Sequence, residues 1–143
     1  MSFAIDANIL VYASDSDSPH CEAAQSFLAR CAAESEVFFL AWPTVMAYLR
    51  ISTHAAIFKN PLSPAQALAN VQFLLDLPHC RLISEAQGAW LDYVELAGEH
   101  HPRGNLVPDS HLAALLKSNG VKRLYSRDKD FRRFEFLKVV DPI

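Results

Sequence analysis

Apolar residues recur along this chain in two rhythms, short continuous runs and runs spaced three or four positions apart, and the two alternate from end to end. Phe3-Ala4-Ile5 is a continuous run that stops at Asp6, and Ile9-Leu10-Val11-Tyr12 resumes it, which predicts a buried strand with Asp6 at its end. Ser18-Pro19 then opens a helix, because serine is a good cap and proline fits the first helical position; Ala23, Ala24, Phe27, Leu28 and Cys31 follow at helical spacing. Residues 37–40 form a second apolar run. Trp42-Pro43 begins another helix, carrying Val45, Met46, Leu49 and Ile51, and Ser63-Pro64 repeats the start signal before Ala67, Leu68, Val71, Leu74 and Leu75.

The second half repeats the alternation. Residues 80–83 read as a third strand and 86–97 as an amphipathic helix with Trp90, Leu91 and Val94. A loop over 99–108, rich in His, Pro, Gly and Asn, separates it from a helix expected to start at Asp109 and to end at Gly120. A fourth strand over 121–126, a short turn or helix over 128–134 and a fifth strand over 136–140 complete the chain. Strands alternating with helices predict an α/β domain whose mostly parallel sheet is covered on both faces. With 143 residues, 51% of them hydrophobic, one domain spanning 1–143 is expected, without repeats or linkers.

No stretch approaches the roughly 20 apolar residues of a membrane span, and the start of the chain lacks a basic region and a cleavage-like site, so a soluble cytoplasmic protein is expected. Cys21, Cys31 and Cys80 match no metal-ligand spacing and read as reduced, mostly buried thiols. The net charge of -3 argues against a nucleic-acid partner, but its distribution argues for one. Lys122, Arg123, Arg127, Lys129, Arg132, Arg133 and Lys138 crowd into one segment against only Asp128, Asp130 and Glu135.

Ligands of an open parallel sheet bind beyond the carboxyl ends of its strands. Asp6 and Asp128 are both expected there, and Asp109, at a helix start, is expected at the same edge; Asp130 lies two residues beyond Asp128. Two carboxylates about 4 Å apart repel by about 4 kcal/mol at an effective dielectric near 20, and a hard cation removes that cost. Mg²⁺ and Mn²⁺ prefer oxygen ligands, Mg²⁺ keeps several waters, and such an ion supports phosphodiester hydrolysis. Asn8 is placed to orient a carboxylate or a water from behind the ligands. Arg50 and Arg127 are the candidates for phosphate contact, since guanidinium matches phosphate geometry. His100, His101 and His111 are weaker candidates. Trp42, Trp90 and the phenylalanines read as core or dimer-interface residues.

Three segments together resemble the PIN-domain ribonucleases, in particular the VapC toxins of toxin-antitoxin pairs: the first runs from Phe3 to Leu10 (FAIDANIL), the second from Gly104 to Leu115 (GNLVPDSHLAAL), the third from Ser126 to Phe134 (SRDKDFRRF). The segment from Trp42 to Thr53, with Phe58 to Leu62, is similar to one branch of these toxins. The resemblance implies a PIN-like three-layer fold with a five-stranded sheet, Mg²⁺- or Mn²⁺-dependent cleavage of RNA, dimerisation, and inhibition by an antitoxin. It makes Asp6, Asp109 and Asp128 metal ligands, Asp130 a supporting acid and Ser126 a supporting hydroxyl. One position departs from the pattern. The family's glutamate before its Leu-Arg pair falls at Ala47, and no acid occurs between Val37 and Leu75. Two readings follow, a competent three-aspartate site or a weakened domain that binds RNA or a partner without efficient catalysis. A phosphotransfer enzyme with Asp6 as nucleophile is disfavoured because Asn8 stands where a second acid is needed.

Overall fold

The computed structural model describes residues 2–143. Its five strands are β1 (Phe3–Ile5), β2 (Phe38–Ala41), β3 (Cys80–Ile83), β4 (Arg123–Tyr125) and β5 (Lys138–Val140). They form one sheet in the order β3-β2-β1-β4-β5, with every neighbouring pair parallel. Six helices connect them: α1 (Ala7–Ser14), α2 (Cys21–Ala33), α3 (Trp42–Ser52), α4 (Pro64–Leu75), α5 (Ala89–His100) and α6 (Leu106–Ser118). A five-residue 3₁₀ turn, Lys129–Arg133, follows β4.

The central strands β1 and β2 are buried on both faces because they are apolar at successive positions. Phe3, Ile5, Phe38 and Leu40 point into a core shared with α1, α2, α3 and α4, whereas Ala4, Ala41 and Leu124 point into a second core with α6, Phe131 and Phe134. Strand pleating sends alternate residues to opposite faces, so β1, β2, β3 and β4 feed both cores, and β5 adds Val139 to the second. The chain winds outward from β1 through β2 to β3, then crosses back to β4 on the other side of β1. That reversal lies between β1 and β4, and it is where an open parallel sheet presents its crevice.

Two expectations need correction. Ile9-Leu10-Val11-Tyr12 does not continue β1; it lies in α1, with Asp6 in extended geometry at the N-cap. An eight-residue helix squeezed against α2 and α3 buries Ile9 and Leu10 almost completely, so its apolar residues run together like those of a strand. Helix α6 starts at Leu106, not at Asp109: Pro108 sits in the first turn, where its missing N–H deprives no carbonyl of a partner. Trp42 and Trp90, 47% and 73% exposed, are not core residues, which leaves the interface alternative for them. Helices α3 and α4 start where expected, at Trp42 and at Pro64, whereas α2 and α5 start two and three residues later than expected, and Ser63 caps α4 through a reciprocal capping box with Gln66. Gly120, in the left-handed region at φ 70°, follows the end of α6 as expected. Among the described residues no helix is long and apolar enough to cross a membrane.

Candidate metal centre

Asp6 follows β1 and Asp128 follows β4 by three residues, so the two adjacent strands deliver both to the crevice. Asp6 Oδ1 accepts from the Ala7 N–H at 2.7 Å and Oδ2 accepts from the Ser126 hydroxyl at 2.6 Å. Ser126 is 2% exposed and saturated: its hydroxyl donates to Asp6 and accepts from the Asp128 N–H at 2.9 Å and from Asn8 Nδ2 at 3.3 Å. One buried hydroxyl thereby sets the orientation of Asp6, the start of the 128–130 turn and the amide of Asn8. The other end of that amide, Asn8 Oδ1, is buried without a hydrogen-bond partner among the described residues.

Asp128 caps the 3₁₀ turn by accepting the Asp130 N–H at 2.9 Å, a side-chain turn typical of aspartate. The turn brings Asp130 back beside it. Asp109, in the first turn of α6, completes a group in which one carboxylate oxygen from each of Asp109, Asp128 and Asp130 lies within 4.8 Å of the others. Asp6 stands outside this tight group but within its field. Burial pushes the Asp6 carboxyl up, and Asp128 adds to the rise while the Ser126 hydroxyl and Ala7 N–H oppose it. Asp109 is pushed up to about 6, first by burial and then by Asp128, Asp6 and Asp130, with Arg133 the opposing influence. A carboxylate in the first turn of a helix is ordinarily stabilised by the helix dipole. Here crowding and burial win.

The donor set tests what this cluster accepts. All its donors are carboxylate oxygens, the preference of hard divalent cations and not of soft ones. An octahedral ion with metal–oxygen distances of about 2.1 Å needs ligand oxygens about 3 Å apart when adjacent and about 4.2 Å when opposite, and three oxygens within 4.8 Å of one another can close on one by side-chain adjustment. Asp109, Asp128 and Asp130 therefore fit Mg²⁺ or Mn²⁺, with Asp6 rigidly held alongside. No acid from α3 takes part: Ala47 is half-buried there, between exposed Met46 and buried Tyr48.

The other sequence candidates have surroundings of their own. Arg127 is engaged by neighbouring groups, its Nε 3.6 Å from Asp141, its Nη1 3.1 Å from His20 Nδ1 and its guanidinium over the Tyr12 ring. Arg50 is exposed near the end of α3 and its side chain meets no ion-pair partner among the described residues. His100 packs edge-on against Phe134, and His111 pairs with Glu85 on an apolar groove lined by Trp90 and Tyr93. Burial pushes the thiols of Cys31 and Cys80 up to about 12 and about 11, so both are inert core residues. Sequence reasoning missed Arg133, the cation nearest in effect to Asp109. Its place in a basic run was visible, but its direction was not.

The PIN-domain family model matches residues 3–137. The chain is 39% identical over 142 residues to Ribonuclease VapC48 of Mycobacterium tuberculosis, covering 99% of this chain and 98% of that protein. Among solved structures, M. tuberculosis VapC20, described as a Sarcin-Ricin loop cleaving toxin, superposes with a TM-score of 0.70 at 14% identity, covering 97% of this chain and 99% of that one. The VapBC2 complex of Rickettsia felis bound to a promoter DNA fragment superposes at 0.67 with 17% identity, covering 98% of each chain. At these identities the two structures speak for the fold alone.

Proposed function

This chain belongs to the PIN-domain family, and from that premise we propose that it is a divalent-metal-dependent endoribonuclease, the toxin of a toxin-antitoxin pair, acting as a single domain in the cytoplasm. The observation that carries the reading is the meeting of Asp109, Asp128 and Asp130 oxygens within 4.8 Å, at the crevice between β1 and β4, beside a buried and oriented Asp6. Nearly full-length similarity to a protein named a ribonuclease supports RNA as the substrate.

In this reading Asp109 and Asp128, with Asp130 in support, hold Mg²⁺ or Mn²⁺, and Asp6 is the rigid fourth acid. The bound ion supplies Lewis-acid activation of a phosphate oxygen and of the attacking water. The protein's own share is positional. Ser126 and the Ala7 N–H fix both oxygens of Asp6 so that its charge stays in place when substrate arrives. Asn8 Oδ1, an acceptor without a partner, is available to a water's hydrogen and so to its orientation. Crowding keeps Asp109 poised to exchange a proton for a cation, so metal uptake weakens as the pH falls below about 6.

A protein antitoxin is the proposed partner. A groove of about 660 Å³ between α2 and α4, lined by Leu28, Val71, Phe73 and Leu74 with Phe73 62% exposed, supports a partner with an apolar face. Homodimerisation is proposed through the exposed apolar face of α5, where Trp90, Leu91 and Val94 meet solvent. A second reading, a domain that binds RNA without efficient cleavage, is favoured by one observation, the absence of any acid between Val37 and Leu75. The deciding experiment incubates the purified protein with structured RNA. Cleavage with Mg²⁺ or Mn²⁺ that disappears in chelator and in Asp6→Asn or Asp109→Asn is expected; full activity in excess chelator refutes the metal mechanism, and tight binding without cleavage selects the second reading.

A further inference from the structure

Of the seven basic residues between Lys122 and Lys138, two are consumed by the scaffold. Arg123 pairs with Glu36 at 2.7 Å and stacks on Phe3 and Tyr125, and Arg127 is taken by Asp141, His20 and Tyr12. The other five have no ion-pair partner among the described residues. Arg133 differs from the rest in being anchored. Its Nε donates to the Asp130 carbonyl at 3.2 Å, so the side chain folds back along the 3₁₀ turn toward the acids. Asp130 and Asp109 share the cluster, and Arg133 acts on Asp109 from this position, opposing the crowding that raises it.

A guanidinium whose Nε is already engaged keeps both Nη groups, the edge that grips two oxygens of a phosphate side by side. The anchor also removes part of the rotamer freedom that a long surface side chain loses on binding. Four carboxylates outweigh one divalent ion, so the site still repels a polyanion, and a fixed cation at its rim offsets that repulsion. We propose that Arg133 is a substrate-contact residue that grips a backbone phosphate of the RNA next to the acidic cluster. The proposal rests on the ribonuclease reading, and it assigns to Arg133 the kind of role that sequence reasoning gave to Arg50 and Arg127.

The role carries an unusual pair of signs. A fixed cation beside the cluster helps RNA bind but opposes a divalent ion, so neutralising it weakens RNA binding and tightens metal binding. Arg133→Gln is exposed and costs no core packing, and thermal unfolding verifies that it folds. The expected results are a rise of about tenfold in KM for RNA cleavage, as for the loss of a charge-assisted hydrogen-bond pair, together with Mn²⁺ affinity, titrated calorimetrically without RNA, tighter by about twofold to fivefold. Arg133→Lys, which keeps the charge without the fork, recovers part of the KM. An unchanged KM in Arg133→Gln overturns the proposal while leaving the nuclease reading intact. So does a loss of RNA and Mn²⁺ affinity together, which marks Arg133 as a brace for the turn. A wild-type protein that neither binds nor cuts RNA overturns both.

Discussion

Neutralising Asp109 in the metal-free protein sets folding against function in a way that only a crowded acidic site produces. Its carboxyl is pushed from 3.8 to about 6, a displacement of about two pH units, and at about 1.4 kcal/mol per unit the ceiling on the effect is ~3 kcal/mol. Asp109 is partly exposed, so solvent screening brings the expected value to ~1 kcal/mol. The sign follows from linkage. A carboxyl whose folded-state pKa lies above its unfolded value binds its proton more tightly when folded, so it contributes nothing unfavourable below pH 3.8. It then weakens the fold as pH rises to about 6 and stays unfavourable above that. Asparagine carries no charge to repel. Asp109→Asn in chelator is therefore expected to be more stable than wild type by ~1 kcal/mol above about pH 7, raising Tm by roughly 2–5 °C, with no gain near pH 4. Added Mg²⁺ reverses the order, since an ion at a hundred times its Kd stabilises the wild type by ~2.7 kcal/mol and finds a damaged site in the variant. Thermal unfolding followed by circular dichroism, at several pH values with and without Mg²⁺, reads all of this. A variant less stable than wild type in chelator above pH 7 refutes the crowded-cluster reasoning.

Ser126→Ala removes the donor to Asp6 Oδ2 and the acceptor of the Asp128 N–H; a stability loss of ~1–3 kcal/mol should accompany a fall in kcat with KM little changed, measurable by denaturant titration and steady-state cleavage. Arg127→Ala should lower stability by ~1 kcal/mol through its pairing with Asp141 and its contact with Tyr12, leaving KM for RNA in place; a large KM rise would restore it as a phosphate contact. Ala47→Glu tests the missing acid: a large gain in turnover marks a weakened site, whereas a robust wild-type rate with no gain marks a competent three-aspartate one.

The strands of the sheet were legible because each is a short apolar run between breaks, and Asp6 was legible because it terminates the first of them. Helix α1 was not. In the segment from Ala7 to Tyr12 only Asn8 is polar, so the pattern offers no face from which to distinguish a period of 3.6 from a period of 2. The start of α6 was hidden by Pro108, which reads as a breaker in sequence but is harmless in a first turn. That the aspartates share one edge followed from strand-end logic alone. Which of them group most tightly depends on the turn from Asp128 to Asp130 and on long-range packing of α6, and neither leaves a local signature.

The same limit applies to the cations, and there it changes the functional argument. Arg127 and Arg133 are indistinguishable by residue type and both flank the acids in sequence, yet their partners lie at opposite ranges. Arg127 is held by residues 107 and 14 positions away, His20 and Asp141, whereas Arg133 turns back only three residues to the Asp130 carbonyl. A charge already neutralised by Asp141 has less to offer a phosphate, because binding must first break that pair. A charge tethered through its Nε and otherwise free offers its field at no such cost. The site's capacity to receive a polyanion is thus set less by the number of basic residues near the acids than by which of them the fold has left uncommitted.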